Sequence, residues 1–224
     1  MTIKKTDGIN EIDGDVKISV DFTATDWRNF KETLKIGGGQ DNWKQAYEDF
    51  FKARIETRYF EPIRLLKEHG NKKGEGFAIT ALHCTLIEFL ASTLSGERFK
   101  YINPNSDAEP GEHEYKGSAG LFKRFLRDQT PFKDYFKTNQ IRDDFYENVR
   151  CPLLHEARTK GEWKIRAGCP SDSPIDMKEK IVYRNSLHKT FEDFVAWYGK
   201  ELPLPHNKKL QEAFFRKMEF LCTE

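Results

Sequence analysis

One short stretch of the chain brings an arginine and a histidine close together. Arg150 and His155 enclose the four residues Cys-Pro-Leu-Leu. A histidine whose pKa lies near neutrality can remove or return a proton, and a guanidinium can hold phosphate oxygens and stabilise the charge of a transition state. The neighbouring 2′-hydroxyl of RNA can act as the nucleophile. The pair therefore suits phosphodiester cleavage of RNA that needs no bound metal and spares DNA.

Pro152 decides how these two side chains are placed. In an unbroken α-helix, the step from Arg150 to His155 turns about 500°, which leaves the side chains about 140° apart. Proline disfavours a helix interior but is accepted at the first helical position. We therefore expect a kink or a new helix start at Pro152, with Cys151 near the cap. Such a break would turn both side chains toward one cleft, and the two leucines that follow would anchor the turn in the core.

Acidic residues are candidates for supporting this pair. Glu88 lies in an otherwise apolar segment, and a buried carboxylate needs a partner, for which Arg150 is attractive. The alternative places Glu88 on an exposed polar line of its helix. Arg150 itself could instead pair with Glu147 or Asp144, which precede it in the chain.

Basic residues just beyond His155 are candidates for RNA contacts. Arg158 and Lys160 could touch phosphates, and the alternative is an ordinary solvated helix end. His83 lies in the same apolar segment as Glu88, and we expect it to be a hydrogen-bonded core residue and not part of the site. The four cysteines have no ligand-like spacing, so no metal site and no cofactor is expected.

Composition limits the class of protein. The 224 residues are 38% hydrophobic and 13% aromatic, which is enough for a real core, and their formal net charge is only +1. RNA contact must therefore be local or must use a groove between subunits, because a general electrostatic footprint needs a basic excess. Scattered cysteines and the lack of a signal peptide favour free thiols and a cytoplasmic protein.

Helical periodicity predicts a mainly α fold. We expect residues 1–40 to form an N-terminal extension with a short strand (16–22) and a helix capped by Asp26. Residues 41–224 are expected to form one helical domain, with a kink at Pro62 and a long surface loop at 98–120. The predicted helices span residues 43–69, 77–94, 121–136, 141–158, 187–202 and 208–221.

Two further features complete the predicted fold. Polar interruptions in the apolar segment 77–94 predict a core helix and not a membrane span. Residues 162–166 and 181–184 alternate between apolar and polar and are separated by turn residues, so a small antiparallel sheet is expected near 162–185. Its candidate inward residues are Trp163, Ile165 and Val182.

The string Arg-Cys-Pro-Leu-Leu-His, between two predicted helical segments, resembles the Arg-x(4–6)-His motif of the HEPN superfamily. The resemblance carries over Arg150 and His155. Cys151 departs from the family, in which Asn, Asp or His often follows the arginine. The longer string from the apolar helix to this motif also resembles a group of bacterial HEPN-like proteins. The resemblance implies a helical bundle that dimerises, with the two motifs facing each other to form one composite site.

Two functions follow from the resemblance. The first is a metal-independent endoribonuclease that cuts single-stranded or loop RNA in bacterial antiviral defence or a toxin–antitoxin stress response. The second is a catalytically silent HEPN-like module that dimerises and binds RNA, a nucleotide or a partner protein. RNA, a second copy of the chain and an antitoxin or defence-system protein are the expected partners. A purely structural helical protein is a third interpretation.

Overall fold

The computed structural model describes residues 15–70, 73–103, 105–168 and 171–223, and this part of the chain is mainly helical, as predicted. The helices are numbered in chain order. They are α1 (Ala24–Phe30), α2 (residues 40–69), α3 (Glu75–Ser95), α4 (Ser118–Asp128), α5 (residues 139–156), α6 (Arg184–Glu201) and α7 (Lys208–Leu221). Short 3-10 turns follow α1 (Lys31–Thr33) and α4 (Phe132–Asp134).

The start of α1 differs from the prediction. Thr23, and not Asp26, is the N-cap, and the two side chains form a capping box in which each accepts a hydrogen bond from the other's backbone N–H. The strand predicted at 16–22 is wrong, since only an isolated bridge joins Lys17 and Thr23. The chain turns back on itself at this point, with the backbone N–H of Ile18 donating to Phe22.

Proline does not break α2 or α5. In α2 two π-helical stretches, Tyr47–Lys52 and Glu56–Phe60, separate α-helical segments at Gln40–Ala46, Ala53–Ile55 and Glu61–His69. In α5 one π-helical stretch, Tyr146–Arg150, separates Asn139–Phe145 from Cys151–Glu156.

Pro62 and Pro152 each follow the end of a π-helical stretch by two residues. A proline has no N–H to donate and its ring collides with the carbonyl four residues earlier, and a π turn moves that carbonyl aside. The helices therefore continue through both prolines, and Pro62 does not divide α2.

The helix α3 runs through the core. Among the described helices it alone has the length and apolar composition of a membrane span, and 56% of that apolar window is buried inside the protein. It packs against α2, α4, α6 and α7. This agrees with the predicted core helix. Aromatic side chains dominate the core around it, and the largest buried ones are Trp27, Trp43, Tyr198, Phe50, Phe51, Phe122, Phe132, Phe136, Phe145, Phe191, Phe194 and Phe214.

The N-terminal segment belongs to the same core. The indole of Trp27 is fully buried, contacts the rings of Phe50 and Phe214, and donates a hydrogen bond to Glu219. Ile18 is also fully buried. The described residues before α2 therefore pack as part of one body with the helices that follow.

Two small sheets complete the described fold. β1 (Arg98–Phe99) and β2 (Glu114–Tyr115) pair in parallel within the segment predicted as a loop. β3 (Lys164–Arg166), β4 (Ile175–Asp176) and β5 (Ile181–Tyr183) form the second sheet.

The antiparallel pairing predicted for the second sheet is wrong. β5 is central, β4 pairs with it antiparallel, and β3 pairs with it in parallel. The short turn between β4 and β5 makes the antiparallel hairpin, and the long connection after β3 permits the parallel pairing on the other edge. Trp163 and Val182 are buried as predicted, and Ile165 is half-buried.

Candidate functional site

Arg150 is held between three helices. It is the last residue of the π-helical stretch of α5, and only 13% of its side chain is exposed. Its Nη2 donates to Glu88 Oε2 on α3 at 3.1 Å and to Ser118 Oγ at the start of α4 at 3.0 Å. The guanidinium carbon lies 5.2 Å from the ring centre of Tyr146, one helical turn earlier. The predicted ion pair with Glu88 is therefore present.

Further hydrogen bonds close this cluster. The hydroxyl of Tyr146 lies 3.0 Å from Ser118 Oγ, and the hydroxyl of Tyr115 on β2 donates to Glu88 Oε1 at 3.3 Å. Burial, and then the nearby Glu88 carboxylate, raise the pKa of Tyr115 well above its usual value. The phenol therefore keeps its proton and remains a donor. Glu88 thus has a partner on each carboxylate oxygen.

The guanidinium of Arg150 retains unused donors. Its Nε is buried without a hydrogen-bond partner, and no hydrogen bond from the described residues engages Nη1. Burial opposes its charge, but Tyr146, Glu88 and the Cys151 thiol together raise the pKa of Arg150 above its ordinary value. The side chain is thus a fixed cation. Its buried Nε is closed to a ligand, which leaves Nη1 as the donor for an oxyanion.

His155 lies in the last turn of α5 and is exposed. No hydrogen bond or ion pair joins it to another described residue. Pro152 and Leu153 bury the opposite side of this turn, whereas Leu154 is 38% exposed and does not anchor the helix as predicted. The helix ends at Ala157, whose backbone is left-handed with φ of 53°.

Arg150 and His155 do not meet within one chain. The predicted break at Pro152 is absent, because the widened turn comes before Arg150 and the segment from Cys151 to Glu156 is α-helical. Arg150 therefore faces α3 and α4, while His155 faces solvent. The structure brings Arg150 and Glu88 together and leaves His155 apart from them.

The remaining predicted residues lie around the end of α5. Glu147 is exposed and Cys151 is half-buried beside Arg150. Arg158 and Lys160 are exposed and both form ion pairs with Glu156. They are available to a ligand on the same surface as His155, but each already has an acidic neighbour.

The second sheet fixes the chain that follows α5. Asp144 on α5 forms an ion pair with Lys180 and accepts hydrogen bonds from Trp163 at 3.2 Å and Asn148 at 2.8 Å. Gly161 has φ of 55° and lies so close to Asn148 that a Cβ would meet its side chain at 2.9 Å. These contacts hold the second sheet against α5, the helix that contains Arg150 and His155.

Sequence reasoning missed three residues of the Arg150 cluster. Tyr146 precedes Arg150 by four residues, and this helical spacing is a signal that could have identified it. Tyr115 and Ser118 belong to a segment without periodicity, and only the fold brings them to Glu88 and Arg150. No pattern in the sequence marks them.

A polar cleft of about 790 Å³ lies between α2 and α6, away from this cluster. His188 lines it, and Nδ1 of His188 lies 3.3 Å from Nε2 of the fully buried His83, so His83 is in the core as predicted. Burial, together with the positive charge of Lys67, lowers the pKa of His188 to about 4. Its contact with Glu192 at 3.7 Å is therefore not an ion pair at neutral pH.

Among the residues that the structure describes, no three His, Cys, Asp or Glu side chains are grouped as a metal ligand set. No protein-family model matches the chain, and no curated protein or solved structure matches it significantly. The functional interpretation therefore depends on the geometry of the site and on the resemblance of its motif.

Proposed function

We propose that this protein is a HEPN-type endoribonuclease, metal-independent in mechanism, in which Arg150 of one copy acts together with His155 of another. The observation that carries the proposal is the contrast between these two residues. Arg150 is a mostly buried, rigidly held cation whose Nη1 donates no hydrogen bond to the described residues. His155 is an exposed histidine on the same helix with no intramolecular partner among the described residues.

The chemistry follows from the substrate. The 2′-oxygen of RNA attacks the adjacent phosphorus as the bond to the 5′-oxygen breaks. His155 removes the proton of the 2′-hydroxyl, and a solvent water gives a proton to the leaving 5′-oxygen. Arg150 stabilises the charge on the phosphate oxygens. The products are a 2′,3′-cyclic phosphate, which can open to a 3′-phosphate, and a 5′-hydroxyl.

A second copy of the chain is needed to complete this site. Arg150 and His155 face different directions on one helix. A single chain therefore has the phosphate-binding arginine but no proton-transfer group near it. A two-fold axis beside α5 would place the His155 of each copy opposite the Arg150 of the other. Cys151, Leu154 and His155 lie in the α-helical end of α5 and follow the i, i+3, i+4 spacing of one helix face. The exposed side chain of Leu154 gives this face an apolar centre.

The biological setting is also a proposal. HEPN ribonucleases serve in bacterial defence and toxin-type stress responses, where an antitoxin or another partner protein restrains them. With a net charge of +1, this chain has little general attraction for RNA. We therefore expect the contacts with RNA to come from the surface around Arg150, His155, Arg158 and Lys160.

The test uses purified protein and RNA in excess EDTA. The wild type should cleave single-stranded RNA, leave DNA intact and give 2′,3′-cyclic or 3′-phosphate ends. Arg150→Ala should lower the rate by about 10²–10³-fold, and His155→Ala by about 10²–10⁴-fold. Arg127→Ala and His206→Ala, which change exposed residues outside the cluster, are the matched controls and should cleave at the wild-type rate. Activity that requires Mg²⁺ or persists in His155→Ala would overturn the mechanism.

One observation favours the silent binding module as the second candidate. Nη2 of Arg150 is already engaged by Glu88 and Ser118 inside the chain, which is what a purely structural arginine would show. If folded, dimeric wild type leaves diverse RNAs intact while still binding them, this second function replaces the first.

A further inference from the structure

The sheet formed by β1 and β2 has two chemically different faces. Arg98 donates to Glu114 at 2.7 Å, and Lys100 lies 3.8 Å from the same carboxylate, so these three charges share one face. Phe99 contacts Tyr115 on the other face, with ring centres 5.7 Å apart and an edge-to-face angle of 68°. Two cations on the first face share one carboxylate, which leaves a net charge of one positive unit there.

Tyr101 extends the aromatic face. Successive side chains of an extended strand alternate, so residues two apart lie on the same side. The backbone N–H groups of Arg98 and Lys100 donate to the carbonyls of His113 and Tyr115, so the pairing extends to the residue before Tyr101. Phe99 is 54% exposed and Tyr101 is 75% exposed. These are the two most exposed large hydrophobic side chains in the described part of the protein.

The aromatic face leads to the Arg150 cluster. Tyr115, which contacts Phe99, also donates its hydroxyl to Glu88, and Glu88 pairs with Arg150. The ring of Tyr146 then lies beside the guanidinium. A ligand in contact with Phe99 is therefore separated from Arg150 by one aromatic side chain and one carboxylate.

We propose that Phe99 and Tyr101 form a stacking platform for the bases of single-stranded RNA and direct the strand to Arg150. This inference rests on the proposed function for the identity of the ligand. Exposed aromatic rings stack on unpaired bases of any sequence, whereas a duplex keeps its bases inside the helix. Bases on the platform direct the phosphates of the next few nucleotides toward Nη1 of Arg150.

The arrangement favours RNA over a protein partner. The exposed rings form a narrow strip, and a stable protein interface needs a far wider patch. The strip also leads to a fixed cation, Arg150, whose Nη1 has no partner among the described residues, which matches a chain of alternating bases and phosphates. The charged face of the sheet has a net charge of only one positive unit, so the rings are expected to supply most of the binding energy.

The test measures binding separately from cleavage. The full chain with His155→Ala is titrated into a fluorescently labelled single-stranded RNA in EDTA, and the Kd is compared among variants. Adding Phe99→Ala and Tyr101→Ala should raise the Kd by about tenfold or more, from the usual energy of base–aromatic stacking. Phe99→Leu with Tyr101→Leu should weaken binding similarly, because leucine is apolar but cannot stack. Phe77→Ala, at an exposed aromatic on α3, is the matched control and should leave the Kd unchanged.

The outcomes separate this inference from the proposed function. Equal Kd values for the platform variants and the control would overturn the platform, even if the wild type cleaves RNA. Weaker binding in the platform variants, with no cleavage by the wild type, would support the platform and refute the nuclease. Loss of self-association in the platform variants, with RNA affinity retained, would assign the rings to a protein contact and overturn the inference. Absence of any RNA binding would overturn it as well.

Discussion

The guanidinium of Arg150 and the carboxylate of Glu88 lie 3.1 Å apart, although 62 positions separate them in the chain. Both side chains are mostly buried, with 13% and 23% of their surfaces exposed. An ion pair in this position fixes the direction of the arginine more than it stabilises the fold, because the transfer of two charges from water offsets much of their attraction.

This pair should be energetically coupled. Glu88→Ala and Arg150→Ala should each lower the free energy of unfolding by about 1–3 kcal/mol, since each leaves a partner without its hydrogen bonds. The double variant should lose less than the sum of the two, by about 0.5–3 kcal/mol. Urea denaturation of the four proteins measures this difference. Strict additivity would mean that the contact contributes nothing.

Glu88→Gln should lower any RNA cleavage while Arg150 remains in place. The amide is neutral and holds the guanidinium of Arg150 less firmly, so the arginine side chain is no longer fixed in one orientation. Lys31→Ala, which removes an ion pair with Glu219 remote from the cluster, serves as the control and should leave the rate unchanged. Wild-type rates for Glu88→Gln would show that Arg150 needs no positioning by this carboxylate.

Gly199 on α6 should tolerate no side chain. A Cβ there would overlap ring atoms of Tyr47, whose hydroxyl donates to the carbonyl of Val195. Gly199→Ala should therefore destabilise the protein by about 1–3 kcal/mol. A Cβ added at Gly120 on α4 would meet nothing within 4 Å, so Gly120→Ala should be neutral or stabilise the helix by up to about 1 kcal/mol. Thermal melting of both variants provides the comparison.

The buried histidine pair makes stability depend on pH. His188 has its pKa lowered to about 4, first by burial and then by Lys67, and the pKa of His83 is lowered in the same direction. In the unfolded chain these histidines take up protons near pH 6.5. Between about pH 6.5 and pH 4 the unfolded state therefore binds more protons, and stability falls as the pH falls.

The size of this effect should be on the order of 2 kcal/mol for His188 across that window. Urea unfolding at pH 7, 6 and 5 measures the slope, and His188→Phe should make it shallower. His188→Phe leaves every carboxylate in place, so the difference in slope reports mainly on the histidine. Identical slopes would show that His188 is as easily protonated in the folded protein as in the unfolded chain.

Much of the helical framework could be predicted from the sequence, because burial of one helix face imposes a period that is visible along the chain. Glu88 was also predictable as a partner of Arg150, since a carboxylate within an apolar helix needs a counter-charge. The fold agrees with both. The effect of Pro152 was not predictable from its propensity, because a π-helical turn two residues earlier removes the steric conflict that would break the helix.

The strand pairings and two residues of the site could not be predicted from the sequence, because they depend on the path of the chain in the fold. Alternation marks residues 162–166 and 181–184 as strands but does not encode their direction, which the intervening hairpin partner β4 decides. β1 and β2 contain two residues each, too few to show a period. Tyr115 and Ser118 reach the site only because this pairing returns the chain to α3.

Mixing two inactive variants tests most directly whether Arg150 of one copy acts with His155 of another. Arg150→Ala and His155→Ala are each purified, then combined under conditions that exchange subunits, and RNA cleavage is measured in EDTA. In a mixed dimer one site keeps both an intact arginine and an intact histidine from different copies. We predict that the mixture cleaves RNA far faster than either variant alone. If the wild type is active but the mixture stays as inactive as its two components, the shared site is contradicted.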